Sequence, residues 1–173
     1  MEATLFKHLA QRIAATMPDV KQVELYTGQY LYPATDANPV FPPAIFVEFG
    51  EIMWDDLGER SQQAIVPVRL HVVTQHLPPF GMDRKPAAIA AYAEAVTKVS
   101  TRLHQALHGY TPASEHAFAF NTITRRRSAR AEAPPTLHVT ISEFALLVND
   151  ASAEIQYNAP PEPPKLDLEK IME

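Results

Sequence analysis

The chain has no cysteine, which removes disulfides, thiolate nucleophiles and cysteine-ligated zinc together. Glycine is scarce, five in 173 residues, against a usual share of about 7%. No stretch approaches the roughly 18 consecutive apolar residues that a membrane-spanning helix needs. The start, Met1-Glu2-Ala3-Thr4-Leu5-Phe6-Lys7, lacks the basic-then-apolar order of a secretory signal, so neither insertion nor export is expected. Also missing are a GxSxG elbow, a GxxxxGK loop, a GxGxxG turn and an HExxH helix. No catalytic constellation is legible, and the expectation is a protein that is not an enzyme and carries no cofactor or metal. What is present, 46% hydrophobic and 20% charged residues with a mean hydropathy of −0.15, is enough for one soluble domain with a real core.

Proline does the punctuating that glycine does not. Its 16 copies make about 9% of the chain, nearly twice the average, and regular elements should lie between them. Leu5, Leu9 and Ile13, with Phe6, Ala10 and Met17 beside them, form the stripe of an amphipathic helix closed by Pro18. Residues 20–26 alternate as a short strand and 27–43 read as a long loop suited to an outside contact. Ala44–Phe49 alternates as a strand. Residues 62–75 form another, with Pro67 predicted at an edge or bulge, and 50–61 an extended hairpin between them. A long helix is predicted from about Asp83, its inward stripe being Ile89, Tyr92, Ala93, Val96, Val99, Leu103 and Leu107, with Gly109 capping its end. Two final strands, 117–131 and 136–149, flank a turn at Ala133-Pro134-Pro135.

Hairpins on both sides of one helix exclude an all-parallel sheet. The fold class is therefore α+β: a mainly antiparallel, mixed sheet with two α-helices packed on one face. Residues 1–149 form the single domain and 150–173 a proline-rich acidic tail. Strand alternation predicts Arg69, His71, His138 and Thr140 on the face away from the helices, a surface able to meet water or another subunit. In the tail, Ala159-Pro160-Pro161-Glu162-Pro163-Pro164 is a stiff extended spacer. Leu166, Leu168 and Ile171 beyond it either stay solvated or dock on a neighbour.

Charge is placed unevenly. Residues 1–149 carry 13 basic and 14 acidic side chains, and residues 150–173 carry 2 and 6. A near-neutral body argues against general nucleic-acid binding. Within it, Glu48 to Arg60 holds five acids and one base, whereas Arg125-Arg126-Arg127-Ser128-Ala129-Arg130 holds four positive charges in six residues. Such a run binds phosphate, ends a solvated strand, or meets acid on protein. If the two patches lie on opposite sides of a subunit, copies join head to tail and close into a ring. Trp54, Asp55, Asp56 and Glu59 on the hairpin and Arg125, Arg126, Arg127 and Arg130 on the strand are the candidate assembly residues. Trp54 either folds over its own core edge or meets another chain. Two other readings stay open: a nucleic-acid-associated module using Arg125–Arg130, and a metal enzyme built on His104 and His108, four apart on one helix but without a visible third ligand.

The element order, with Pro43-Ala44-Ile45-Phe46-Val47-Glu48-Phe49, Trp54 and Val66-Pro67-Val68-Arg69-Leu70-His71-Val72-Val73, resembles the tail terminator (tail completion) proteins of long-tailed phages and prophages. The likeness covers about residues 3–149 and rests on hydrophobic patterns. It implies a small α/β subunit in a hexameric ring that caps the finished tail tube, stops its polymerisation and offers a head-joining surface. The implied partners are copies of itself, the tail tube protein and head–tail connector proteins, with sheath protein added in a contractile tail. Neither a membrane nor sequence-specific nucleic acid is implied. The implied location is the virion tail, and the host cytoplasm during assembly. The loop 27–43 and the tail 150–173 depart from the compact family pattern.

Overall fold

The computed structural model describes residues 1–31, 39–58, 60–75, 86–115 and 117–153; the side chains of residues 86, 88, 89, 92 and 96 are not described. Helix α1 is Glu2–Thr16, followed by strands β1 Gln22–Leu25, β2 Ala44–Phe49, β3 Trp54–Gly58 and β4 Ser61–Gln75. Helix α2, Pro86–Leu107, precedes β5 Phe118–Phe120, β6 Thr124–Arg130 and β7 Leu137–Asp150. The strands form one mixed sheet in the order β1-β2-β4-β7-β5, with β3 also pairing β4 and β6 also pairing β7. Only β1 with β2 is a parallel pair among these; the other ladders are antiparallel. This is the α+β class expected.

Both helices sit on one face. Leu5, Leu9 and Ile13 of α1 and Val99, Leu103 and Leu107 of α2 close over Val47, Val66, Val68, Leu70, Phe144, Leu146 and Val148 of the sheet. Every third or fourth residue of a helix meets every second residue of a strand, so each periodicity is used once. The Arg12 Nε–H donates to the Ala106 carbonyl at 3.0 Å, which ties the two helices together, and Arg102 of α2 reaches Asp19 in the segment after α1 at 2.6 Å. α1 stops where Pro18 excludes a further turn. α2 ends on Gly109 in the left-handed region, φ 85°, where a side chain would be strained.

Several expectations need correction. Among the described side chains of α2, burial starts at Val99, and Ala93 is exposed; a helical period shows which face is apolar, not how far the sheet beneath it extends. Asp83 lies outside the described residues, as do 32–38 of the loop and 154–173 of the tail. The predicted strand 117–131 is two strands. Ile123, 1% exposed, leaves the ladder to exchange hydrogen bonds with the end of α2: Gly109 N–H donates to its carbonyl at 2.9 Å, and its own N–H to that of Tyr110 at 2.8 Å.

Pro67 is central, not at an edge: β4 lies between β2/β3 and β7. β2 stops at Phe49 opposite Val68, and β3 starts at Trp54 opposite Ala64. The Pro67 carbonyl accepts from the Gly50 N–H at 2.9 Å, so its donorless nitrogen turns to the junction where one neighbouring strand hands over to the next and no ladder bond is due. A Cβ on Gly50 would lie 3.1 Å from Pro67 Cγ, which accounts for glycine there. Finally, His138 pairs with Thr74 and Thr140 with Val72. Both therefore stand on the helix side, while Val139 and Ile141 take the second face. β7 is apolar on both faces, so its alternation does not say which one meets the helices.

Candidate functional site

The face of the sheet away from the helices has three zones. At one end Phe46, Val73 and Val139 are fully covered, with Tyr30 (3% exposed) above them and Tyr26 packed against the cluster. At the other end Ile65 is 60% exposed. It lies directly across from Leu147, as Pro67 does from Ala145. Ile65, Leu147 and Ala145, with Asn121, Thr122 and Arg126 at the rim, line an open depression of about 450 Å³.

Between these ends a chain of polar contacts crosses four strands. The Tyr30 hydroxyl donates to His71 Nδ1 at 2.7 Å and His71 Nε2–H donates to Glu48 Oε2 at 2.9 Å. Arg69 links Glu48 (3.4 Å) to Glu143 (3.2 Å), and Arg127 grips Glu143 with two bonds, 2.6 and 2.8 Å. Burial drives the His71 pKa below its ordinary value, with Arg69 adding to that and Glu48 opposing it. Burial first, then Tyr26 and Glu48, push the Tyr30 phenol up. Neutral His71 with its proton on Nε2 satisfies both neighbours, so the 2.9 Å contact is a hydrogen bond to a carboxylate rather than a pair of full charges. Arg127, then Arg69, hold the Glu143 carboxyl below its ordinary range. Sequence reasoning did not find this chain. The signals were Glu48 in an apolar strand and Arg69 and His71 two apart on the next, but joining them requires the register.

The eight candidate assembly residues divide by sheet edge. Trp54 is half-buried and packs against the helix-side core of its own subunit. Asp55 and Asp56 are exposed on β3 and pair with Gln63 and Gln62, so they point to opposite faces. Asp56 Oδ1 also accepts from the Gly58 N–H at 2.9 Å, shaping the turn. Glu59 lies outside the described residues. Arg125, Arg126, Arg127 and Arg130 are exposed on β6, with a bulge between Arg125 and Arg127. Arg127 is engaged within its subunit by Glu143, whereas no carboxylate among the described residues pairs with Arg125, Arg126 or Arg130. β3 and β6 flank opposite sides of the β4–β7 pair, so Asp55 and Asp56 do not meet the β6 arginines within one subunit.

His104 and His108 lie with ring centroids 4.9 Å apart. The His108 Nδ1 accepts from the Arg125 N–H at 3.2 Å, which occupies one possible metal-binding nitrogen. Burial, then Arg125 and His108, lower the His104 pKa. Among the described residues no group of three or more potential ligands converges on a metal position, and no helix is long and apolar enough to cross a membrane.

No family model and no curated protein matches the chain. Among solved structures, a chain from the virion of a native gene transfer agent particle aligns at 15% identity and a TM-score of 0.47, covering 84% of this chain and 94% of that one. A second solved chain aligns at 14% identity and a TM-score of 0.35, covering 85% of this chain and 92% of the other.

Proposed function

We propose that the protein is a ring-forming structural subunit of a phage or phage-like tail. It acts as a tail terminator that caps the tube, stops its polymerisation and presents a surface for head joining. It works by shape and needs no reactive centre. The resemblance over residues 3–149 supplies the tail role. The observation that carries self-assembly is the placement of Arg125, Arg126 and Arg130, which no carboxylate among the described residues pairs, on one side of the sheet and of Asp55 and Asp56 on the other. A contact between two different patches repeats from copy to copy, and a rotation that closes gives a ring. Copies of the chain, the tube protein and the connector proteins are the proposed partners, and the virion tail the proposed location.

Reversing Arg125, Arg126 and Arg130 to Glu together should weaken assembly while leaving the monomer folded, because none of the three pairs with a carboxylate among the described residues. High salt should act in the same direction. Adding Asp55→Lys and Asp56→Lys should restore assembly in part. Arg127 is left in place, since its loss would disturb Glu143. The measurement is sedimentation velocity with electron microscopy, alone and in the presence of polymerising tube protein. Unchanged particles in the triple variant would exclude the charge contact, and tubes that elongate freely beside the wild-type protein would exclude the capping role.

A further inference from the structure

The depression on the second face combines an apolar floor with a positive rim, and no segment of the described chain covers it. Ile65 is 60% exposed although it stands mid-strand on β4, beside Leu147. Its rim carries the guanidinium of Arg126, which no carboxylate among the described residues neutralises. A complementary occupant is an extended segment that alternates apolar and acidic residues.

The chain contains such a segment. Residues 154–173 carry five acids and two bases, and Leu166-Asp167-Leu168-Glu169 alternates leucine with carboxylate. We infer that this C-terminal segment of one copy docks in the second-face depression of a neighbouring copy, Leu166 and Leu168 lying on Ile65 and Leu147 and the carboxylates of Asp167 and Glu169 facing Arg126. A neighbouring copy is within reach. Ala153 is six residues beyond Leu147, at most about 20 Å along the chain. Twelve residues, four of them prolines, separate Ala153 from Leu166, a length that covers up to about 40 Å when fully extended. A domain of this size is about 38 Å across. That length is about one subunit width, so the segment of one copy can reach the depression of the next.

This inference rests on the self-assembly reading, and the experiment separates the two. In the full-length chain a photo-cross-linking residue replaces Leu168. Isotope-labelled and unlabelled chains are mixed before irradiation, and mass spectrometry locates the product, with sedimentation run on the same samples. In parallel a fluorescent peptide of residues 159–173 is titrated into full-length wild type, Ile65→Asp and Arg126→Glu; both sites are exposed, and circular dichroism checks that the variants fold.

The expected result is a label-mixed cross-link to residues around Leu147, with peptide affinity at least 10-fold weaker in each variant. A peptide carrying Asp167→Lys and Glu169→Lys should regain binding to Arg126→Glu. Assembled particles with cross-links elsewhere, or only within one chain, overturn the docking and leave the ring intact, as does equal peptide binding by all three proteins. Protein that stays monomeric at every concentration while still binding the peptide at Ile65 and Arg126 overturns the ring and retains the docking surface.

Discussion

The two faces of this sheet solve different problems. The helix-covered face is finished within the subunit: Leu5, Leu9, Ile13, Leu103 and Leu107 are each no more than 1% exposed, and they close on strand residues buried to the same degree. The other face is finished only in part, with an aromatic-covered cluster, a charged chain across its middle, and Ile65 left largely open. Folding free energy therefore concentrates on one side, which frees the other for contacts. Large-to-small substitution measures that asymmetry directly. Leu103→Ala should cost about 2–5 kcal/mol, because the site is fully enclosed and collapses only partly. Ile65→Ala, more than half in water, should fall within about 0.5 kcal/mol. Urea denaturation of the two variants compares them, and equal losses would mean that the second face is as essential to the monomer as the first.

The charged chain marks the boundary between these regimes, since its two ends differ in exposure. Glu48→Ala removes the acceptor of a 3% exposed histidine and strands the buried Nε2–H, for a loss of about 1–3 kcal/mol. Arg127→Ala breaks a two-bond grip on Glu143, but the Arg127 side chain is 71% exposed and such pairs are worth about 0–1 kcal/mol. Denaturation midpoints for the two variants should rank in that order. The reverse order would show that the chain is anchored from β6 rather than from Tyr30 and His71.

The helix-covered face was legible in the sequence because its signal is periodic. The stripe Leu5-Leu9-Ile13 and the alternation of Val66, Val68, Leu70 and Val72 each specify a buried side, and together they specified two helices on one sheet. The second face was not legible, because its pattern depends on register. Val139 and Ile141 look like core residues in sequence, yet both stand on the side opposite the helices, where Val139 is covered and Ile141 is half-buried. Pro67 looked like an edge residue until the handover from β2 to β3 supplied a place for its missing donor. The arginine run was visible as composition. That Arg127 turns to Glu143 while Arg126 lies in a bulge at the rim of the depression that holds Ile65 follows from the ladder with β7, in which a single extra residue changes the side to which each arginine points.

The smallest effect comes from pH, and it reports on the second face through His71. Its charged neighbours are Glu48 and Arg69, and the phenols of Tyr26 and Tyr30 stack on it or bond to it. Burial lowers its folded pKa below the ordinary 6.5. The unfolded chain therefore takes up this proton at a higher pH than the folded one, and stability present above pH 6.5 declines as the solution is acidified through that value. His104, lowered by burial, Arg125 and His108, adds a step of the same sign. The carboxyls of Glu143 and Asp19 are also lowered, by their arginine partners, and their contribution is lost only below their ordinary values of 4.5 and 3.8. Melting temperature should thus be level above about pH 7, fall through the histidine range, and fall again in the carboxylate range. His71→Gln should shrink the first fall without removing it, because His104 still titrates, and should leave the second in place. A melting temperature that rises between pH 7 and 5, and loses that rise in His71→Gln, would require a charged His71 in the folded protein, and the hydrogen bond to Glu48 would then be a full ion pair beneath the tyrosines.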